Sequence, residues 1–387
     1  MTNSYVKLGD LATYINGYAF KPKDRGDKGL PIIRIQDLTG NTYDKGFYDG
    51  KYPSKIEINN GDVLISWSAS LGVYLWNGGK ALLNQHIFKV IFDKKEIDKD
   101  YFIYAVRFSL KRLHQLTHGA TMKHIVKKDF DNVVIPYPSI KKQKEIAFNL
   151  DKIESIIKTR QQEIRMLDTL IKARFVEMFG DPLRNDKTWP ISKLKLLTTK
   201  VGSGATPKGG KQSYKKEGIT LVRSMNVHDG EFVYKDLAYI DTAQAHDLDN
   251  VELQPKDVFI NITGASVARS CVIPDNILPG RVNQHVAIIR CKENLLNYIF
   301  LNRLFLNSSF KQKLLAMGQA GGATRQALTQ EQLKKLNLIL PPIELQNEFA
   351  SFVQQVDKSK VVNASIMKYI ISIRFYLYFK ENKEGAR

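Results

Sequence analysis

The chain has 387 residues, and its hydrophobic fraction of 43% is enough for ordinary cores, so we expect two folded domains and exclude a disordered polymer. It carries 58 lysine and arginine residues against 39 acidic ones, a formal net charge of +19, which favours nucleic acid as a partner over an acidic protein. The two cysteines have no second pair with which to bind a metal. No signal pattern opens the chain, and the most apolar stretch, Ile370 to Phe379, is too short to span a bilayer. We therefore expect a soluble cytoplasmic protein with reduced thiols.

The first half of the chain begins with short β-rich runs that Gly, Asn and Asp separate, followed by a helical segment and a last strand. The predicted strands are Leu30 to Ile35, Asp62 to Ser66, His86 to Ile91 and Val133 to Ile135, and the predicted helix is Asp100 to Leu116. This order predicts a mixed α/β domain.

A long helix is predicted from about Ile140 to Phe179, because neither Pro nor Gly interrupts the segment before Gly180 and Pro182. At about 1.5 Å per residue such a helix is roughly 60 Å long. Its apolar residues follow a heptad, which Arg160 and Arg174 interrupt: Leu150, Ile157, Ile164, Ile171 and Met178 in one register, Ile153 and Leu167 in the other.

The second half repeats the first in the same order, over a length far beyond that of a solenoid unit, so a whole domain is duplicated. The clearest shared segments are Asn84-Gln85-His86 with Asn283-Gln284-His285, and Gly119-Ala120-Thr121 with Gly322-Ala323-Thr324. The second set of predicted elements comprises strands at Thr220 to Val222, Val258 to Ile262, Val286 to Arg290 and Leu338 to Leu340, and a helix near Leu295 to Met317. Two similar domains on one chain suggest two similar ligands bound at a fixed distance.

A second long helix is predicted from about Ile343 to Lys380. Its apolar residues also follow a heptad, diluted by Ser359 and Asn363: Phe349, Val356, Ile370 and Leu377 in one register, Phe352, Ile366 and Ile373 in the other. Two helices of matched length and pattern favour a coiled coil with each other over separate packing of each on its own domain. The expected fold is therefore mixed α/β: two similar α/β domains joined by two long antiparallel helices in pseudo-two-fold symmetry.

The sequence lacks the common motifs of catalysis. It has no GxxxxGK[ST] phosphate loop, no GxSxG and no HExxH, and Leu340 precedes Pro341-Pro342 where an amino-methyltransferase motif would need Asn or Asp. The acidic residue after Pro274 has no Asp/Glu-x-Lys partner at a useful distance, which weakens a nuclease interpretation. A binding protein is therefore favoured over an enzyme.

Both domains place hydroxyl, amide and cationic side chains on loop-like, often Gly-rich segments, where they could contact phosphates or base edges of duplex DNA. The candidates of the first domain are Trp67, Ser68, Ser70, Thr121, Lys123, His124 and Lys127. Those of the second domain are Thr206, Lys208, Lys211, Thr324, Arg325 and Gln326. Arg34 and Arg223 occupy equivalent positions in the two copies, which suits phosphate contact or domain architecture. The alternative is that these are ordinary solvated loops with incidental charge.

The shared Asn-Gln-His triplet has two interpretations. Its amides could contact adenine, or its side chains could stabilise a turn before a buried strand. The structural role is favoured, because Asn and Gln amides satisfy the backbone groups of a turn well. A triplet common to both copies also cannot by itself distinguish two different half-sites. Sequence recognition is expected where the copies differ.

The whole chain resembles the specificity subunit of a type I restriction-modification system. The resemblance rests on the entry to the first long helix, Pro136-Tyr137-Pro138 with Gln143-Lys144-Glu145-Ile146, on its exit, Phe175 to Pro182, and on the order and spacing of the paired Asn-Gln-His and Gly-Ala-Thr segments. It implies a first target recognition domain at 1–140, a central conserved helix at 141–182, a second target recognition domain at 183–342 and a C-terminal conserved helix at 343–387.

The resemblance also implies a function. Each domain would recognise one half of a bipartite DNA target, and the helices would set the spacer and dock two adenine methyltransferase subunits, which two restriction (motor-nuclease) subunits would join. S-adenosylmethionine, ATP and Mg²⁺ would belong to those partners, with no cofactor and no catalysis on this chain.

Two alternatives to this function remain open. One is a self-contained DNA-modifying enzyme, a nuclease or methyltransferase with an unrecognised site, which would act on DNA without partners. The other is a basic scaffold that binds only proteins, for which the assembled complex would not protect DNA.

Overall fold

The computed structural model describes residues 4–68, 70–116, 127–319 and 326–380, with the side chains of residues 111–116, 211 and 374–380 outside that description. The described chain divides into two compact units. The first contains the residues up to Arg160 together with those from Ser365, and the second is Gln161–Ala364. Both division points lie inside the long helices. Among the described residues, no helix is both long and apolar enough to cross a membrane.

The first unit contains a mixed set of short strands and helices that ends in a long helix. Its elements are β1 (Ser4–Lys7), α1 (Leu8–Leu11), β2 (Thr13–Asn16), β3 (Leu30–Ile33), α2 (Ile35–Leu38), β4 (Phe47–Tyr48), β5 (Glu57–Ile58), β6 (Val63–Ser66), β7 (Gly72–Leu75), β8 (Ala81–Leu83), β9 (Ile87–Ile91), α3 (Lys99–Leu116), α4 (Lys127–Asp131), β10 (Val134–Tyr137) and the first half of α5 (Ile140–Phe179). Strand β1 pairs with β10, so the domain's first and last strands lie side by side.

The second unit repeats this plan. After the second half of α5, its elements are β11 (Ile191–Lys193), α6 (Leu194–Leu197), β12 (Thr198–Ser203), β13 (Ile219–Val222), β14 (Val227–His228), β15 (Glu231–Phe232), β16 (Ala238–Ile240), α7 (Thr242–His246), β17 (Val258–Asn261), β18 (Ser270–Val272), β19 (Gly280–Val282), β20 (Val286–Cys291), α8 (Tyr298–Leu306), α9 (Ser308–Gln319), α10 (Gln330–Lys334), β21 (Asn337–Ile339) and α11 (Ile343–Lys380).

The two repeats share most of their sheet topology. They differ in that β5 extends the β4-β3-β8 sheet of the first repeat, whereas the second has β16-β13-β19 and a separate β14-β15 pair. The four-stranded sheet β2-β9-β6-β7 of the first repeat has its counterpart in β12-β20-β17-β18 of the second. In both repeats one strand pair is parallel, β3 with β8 and β13 with β19. The outer strands pair alike, β1 with β10 and β11 with β21. The duplication inferred from the sequence is therefore a duplication of fold.

Two predicted elements differ from the structure. The strand expected to reach Ile35 ends at Ile33, because Arg34 becomes the residue that precedes helix α2. The single helix expected to end at Met317 is two helices, α8 and α9, separated at Asn307. The Asn307 side-chain oxygen accepts a hydrogen bond from the Ser309 N–H at 3.1 Å, which caps the second helix and so favours the break.

The long helices have the predicted bounds, and they pair antiparallel in the second unit. Arg174 of α5 contacts Glu348 of α11 at 3.1 Å, and Asp168 contacts Lys360 at 2.7 Å. As the residue number falls along one helix it rises along the other. The predicted antiparallel coiled coil is confirmed for this part of the two helices.

The second predicted register of α11 fits the structure in part. Phe352 packs against the core of the second unit, and its ring centre lies 5.9 Å from the guanidinium carbon of Arg174 on α5. Ile366, in contrast, is 39% exposed. Lys360, which a hydrophobic pattern cannot include, pairs with Asp168 of α5 and with Asp357 of its own helix.

A glutamine near the start of each long helix attaches that helix to its domain. Gln143 is fully buried; its amide donates to the Pro138 carbonyl at 2.8 Å, and its oxygen accepts from the Asp98 N–H, just before α3, at 2.9 Å. Gln346 does the same with the Pro341 carbonyl at 2.8 Å and the Asn297 N–H, just before α8, at 2.9 Å. The shared Pro-then-Gln motif is thus an architectural device in both repeats.

Candidate nucleic-acid interface

The second repeat contains a cleft where strands β17 and β20 meet the loops at their ends. Its volume is about 640 Å³, and it is lined by Ser224, Met225, Thr263, Gly264, Ala265, Ser266, Arg269, His285, Gln326 and Ala327. Among the residues that the structure describes, this lining contains an arginine and no carboxylate. A concave surface with hydroxyl, amide and guanidinium groups can donate hydrogen bonds to phosphates and to base edges.

A chain of hydrogen bonds connects three loops beside this cleft. The Thr206 hydroxyl donates to the Gln284 side-chain oxygen at 2.5 Å, and the Gln284 amide nitrogen lies 3.1 Å from Nε2 of His285. Nδ1 of His285 lies 2.5 Å from the Thr263 hydroxyl. If the Gln284 amide donates, His285 accepts at Nε2 and donates from Nδ1 to Thr263. The network therefore positions the candidate residue Thr206 relative to the cleft.

Backbone hydrogen bonds place the loop of Gln326 at the same cleft. The Gly264 N–H donates to the Gln326 carbonyl at 2.9 Å, and the Leu328 N–H donates to the Ile262 carbonyl at 2.7 Å. The structure thus brings Thr206 and Gln326, two of the residues predicted from the sequence, to one end of the second repeat. Thr324 and Arg325, which precede Gln326, lie outside the described residues.

The favoured role of the shared triplet is confirmed for Asn283. It is 6% exposed, and its side-chain oxygen accepts from the His285 N–H at 3.0 Å, which closes the turn before β20. Gln284 and His285, however, belong to the network beside the cleft.

Arg34 and Arg223 occupy the same local structure in the two repeats. Each donates its backbone N–H to the side chain three positions later, Asp37 at 2.8 Å and Asn226 at 3.1 Å. Their guanidinium groups differ in their partners. That of Arg34 lies 3.5 Å from an Asp44 carboxylate oxygen, while that of Arg223 donates to the Asp236 carbonyl and lies 5.4 Å from the centre of the Tyr214 ring.

In the first repeat, the candidate Trp67 packs within the domain. Its indole N–H donates to Asn16 at 3.3 Å, and its ring centroid lies 4.8 Å from that of His86. Ser68 is 6% exposed, and Ser70 is exposed, with its carbonyl accepting a hydrogen bond from Ser66. Of these three, Ser70 presents the most accessible side chain.

The predicted lysines are placed at the surface where the structure describes them. Lys127 is 56% exposed, pairs with Asp131 at 2.7 Å and begins α4. Lys208 is exposed and forms no ion pair with a described carboxylate. The backbone of Lys211 lies in a 3-10 turn, Gly210–Ser213, and its side chain is outside the description, as are Thr121, Lys123 and His124 altogether.

Several cleft residues were missed from the sequence: Ser224, Met225, Thr263, Ser266 and Arg269. The repeat alignment carried a signal for some of them. Strand β17 is equivalent to β6, so the loop that begins at Ile262 corresponds to the loop of Trp67, which was singled out only in the first copy. Among the described residues, no group of His, Cys, Asp and Glu side chains is arranged to hold a metal ion.

Comparison with known proteins gives one consistent result. The family model for the type I restriction modification DNA specificity domain matches residues 2–166 and again 186–368. The specificity subunit of the type I restriction enzyme EcoBI from Escherichia coli is 24% identical over 381 residues, covering 91% of this chain and 78% of its own length. That of MjaVIII from Methanocaldococcus jannaschii is 23% identical, covering 91% and 85%.

Solved structures show the same fold. The S subunit of the type I restriction-modification system of M. genitalium aligns over 98% of both chains with a TM-score of 0.54 and 14% identity. A chain from a structural study of complex assembly and conformational transition of the type I R-M system aligns over 98% of this chain and 97% of its own, with a TM-score of 0.60 and 17% identity.

Proposed function

Because the chain belongs to the family of type I restriction modification DNA specificity domains, we propose that it is the DNA sequence-specificity subunit of a type I restriction-modification complex. In this role it recognises DNA and leaves catalysis to partner subunits. The observation that carries the proposal is the duplication, since the two repeats share the strand order of their β2-β9-β6-β7 and β12-β20-β17-β18 sheets and differ in the loops that follow β6 and β17. Such a molecule is suited to recognise two unlike half-sites with one scaffold.

Each repeat recognises one half of a bipartite target, and the paired helices set the spacer between the halves. Half-sites on one face of DNA are separated by about 34 Å per helical turn. The two long helices, with 40 and 38 residues, are each longer than this distance. The cleft of the second repeat supports this assignment, because none of its described lining residues is a carboxylate that would repel the phosphates beside the bases.

The residues proposed to contact DNA fall into two groups. In the second repeat, Thr206, Lys208 and Gln326 lie on loops at the strand ends, with Lys211, Thr324 and Arg325 on the same segments of the chain. In the first repeat, Ser70 and Lys127 are accessible, and Thr121, Lys123 and His124 belong to the Gly-Ala-Thr segment. Arg34, Trp67, Ser68 and Arg223 have partners in the chain or are buried, so we assign them mainly to positioning these loops.

The proposed complex contains two methyltransferase subunits, docked on the long helices and domains, and two restriction subunits, in the cytoplasm. S-adenosylmethionine, ATP and Mg²⁺ are assigned to those partners.

The test is to purify the chain with and without its methyltransferase partner and to sequence the methylated bases of a genome exposed to each. We expect one bipartite adenine motif from the complex and no modification from the chain alone. We also expect tight specific binding only for the complex, and weak, strongly salt-dependent binding for the chain alone. Methylation or cleavage by the chain alone, or a complex without sequence preference, would refute the proposal.

A further inference from the structure

The loop between β17 and β18 is the place where the second repeat departs from the first next to the cleft. The first repeat connects β6 to β7 with five residues, 67–71, whereas the second connects β17 to β18 with eight, 262–269. The longer loop ends at Arg269, and the shorter one contains no arginine. The added segment therefore brings a guanidinium group to the second repeat alone.

The backbone around Arg269 is held in a defined conformation. The Ala268 N–H donates to the Asn261 carbonyl at 2.9 Å, and the Asn261 N–H donates to the Arg269 carbonyl at 2.8 Å. Ala268 is fully buried and has φ of 64°, a left-handed conformation that costs a non-glycine residue about 1 to 2 kcal/mol. Such a conformation persists only where its surroundings stabilise it, and it directs the next residue into the cleft lining.

The guanidinium group of Arg269 has no partner among the described residues. No described carboxylate lies within ion-pair distance of it, and its side chain forms no hydrogen bond to a described group. Three other arginines of this repeat are bound within the chain: Arg281 to Asp249, Arg290 to Asp257 and Arg303 to Asp357. Arg269 is thus a half-buried cation in a cleft whose described lining contains no acid.

We propose that Arg269 recognises a guanine in the half of the DNA target that the second repeat contacts; this inference rests on the proposed function. The two half-sites have the same phosphates but different bases, so a residue present in one repeat only is suited to a base. Arginine forms two hydrogen bonds to O6 and N7 of guanine in the major groove, a pattern that the other three bases do not offer.

The experiment compares three complexes, which contain the wild-type chain, Arg269→Ala or Arg269→Lys. The methylated motifs of each complex are sequenced first. Methylation is then measured on duplexes in which single bases of each half are changed. We expect a required G·C pair in the second half, with discrimination at that pair falling roughly 10- to 100-fold in Arg269→Ala. Arg269→Lys should also lose most of the discrimination at this pair, because an ammonium group keeps the charge but lacks the planar pair of donors.

Arg184→Ala is the matched control, since Arg184 is an exposed arginine of the same unit outside the cleft lining. It should leave every base preference unchanged. Both alanine variants should unfold near the wild-type temperature, because neither side chain forms a hydrogen bond or an ion pair with a described residue.

Several outcomes would overturn the assignment of Arg269. If Arg269 contacted a phosphate instead, Arg269→Ala would weaken methylation of all duplexes equally and lower the salt dependence of binding by about one charge. Arg269→Lys would then restore both properties. Unchanged discrimination, a change in the first half, or a second half without a required G·C pair would equally exclude it while leaving the proposed function intact. Only the absence of a bipartite motif in the wild type would contradict both the assignment of Arg269 and the proposed function.

Discussion

The loop after strand β6 in the first repeat and the loop after strand β17 in the second begin on equivalent strands but present different chemistry. The first packs Trp67 against Asn16 and His86, whereas the second is three residues longer and lines a cleft with Thr263, Ser266 and Arg269. By contrast, the glutamines at the start of the long helices make the same bonds in both repeats. The shared glutamines build the scaffold, whereas these two loops, which differ between the repeats, lie at the strand ends where recognition is proposed.

The largest expected effect concerns an aromatic cluster that joins both long helices to the second repeat. Phe179 is fully buried, with ring centroids 5.2 Å from Phe175, 4.8 Å from Phe300 and 5.4 Å from Phe349. Phe179→Ala should lower the free energy of unfolding by about 3 to 5 kcal/mol, because it leaves a cavity among these rings. Hydrogen exchange should locate the loss in residues 161–364.

Phe148 of the same helix provides the control for this variant. It is 58% exposed, and Phe148→Ala should cost less than about 1 kcal/mol. An equal cost for the two phenylalanines would contradict the assignment of Phe179 to the core.

The cysteines allow the second repeat to be followed alone, since the first has none. Burial raises the pKa of Cys271 and of Cys291 to about 12. At pH 8 the thiolate fraction is then roughly 1000-fold lower than for a thiol with an ordinary pKa of about 9, so iodoacetamide should label both at least ~100-fold more slowly in the native than in the unfolded chain.

The same shift has a consequence for stability. The folded chain holds these protons more tightly than the unfolded chain, so stability should fall as the pH rises above about 9, the ordinary thiol range. Rapid labelling of either cysteine in the native protein at pH 8 would show that the burial is wrong.

Substitution of the two buried glutamines tests whether the long helices are attached to their domains in the same way in both repeats. Gln143→Leu and Gln346→Leu should each cost about 2 to 4 kcal/mol, because each leaves buried backbone groups without partners. Gln346→Leu should be somewhat worse, since its amide also donates to the Leu295 carbonyl at 3.2 Å. Chemical denaturation of each variant gives the values, with the exposed Gln355→Leu as the control. A large cost in one repeat only would break the equivalence of the two attachments.

The smallest expected effect is at a turn that the repeats build with different residues. Gly61 and Lys256 occupy equivalent turns with φ of 89° and 69°, and each turn is closed by an aspartate side chain, Asp62 or Asp257, at 2.8 Å. Lys256→Gly should make the protein about 0.5 kcal/mol more stable than Lys256→Ala, since both variants lose the ion pair of Lys256 with Glu293 and only glycine adopts this conformation without strain. The reciprocal Gly61→Ala should destabilise it; thermal unfolding that reverses these signs would contradict the turn assignment.

Much of the architecture followed from spacing along the chain. The heptad of α5 was assigned correctly because Leu150, Ile157 and Ile171 are all buried at that spacing. The second register of α11 was predicted only in part, because Ile366 is exposed and Lys360 contacts α5 through an ion pair with Asp168, which no hydrophobic pattern records. The break at Asn307 was missed because an asparagine inside an apolar segment does not by itself show whether it caps a new helix.

The cleft was less predictable than the fold. Thr206 and Gln326 were proposed because they lie on Gly-rich loops, but Arg269 comes from a segment with no distinctive composition. Its position depends on the pairing of β17 with β18 and on the left-handed Ala268, which are tertiary features. Conversely, the sequence placed Trp67 on a loop that could contact DNA, whereas in the fold its indole ring contacts Asn16 and His86.

The most direct test of the central claim, that each repeat recognises its own half of one target, is a domain exchange. Residues 1–140 are replaced by the corresponding domain of a relative with a different target, and the motif methylated by the complex is sequenced. We expect one half of the motif to change while the other half and the spacer are kept. A change in both halves, or in neither, would contradict it.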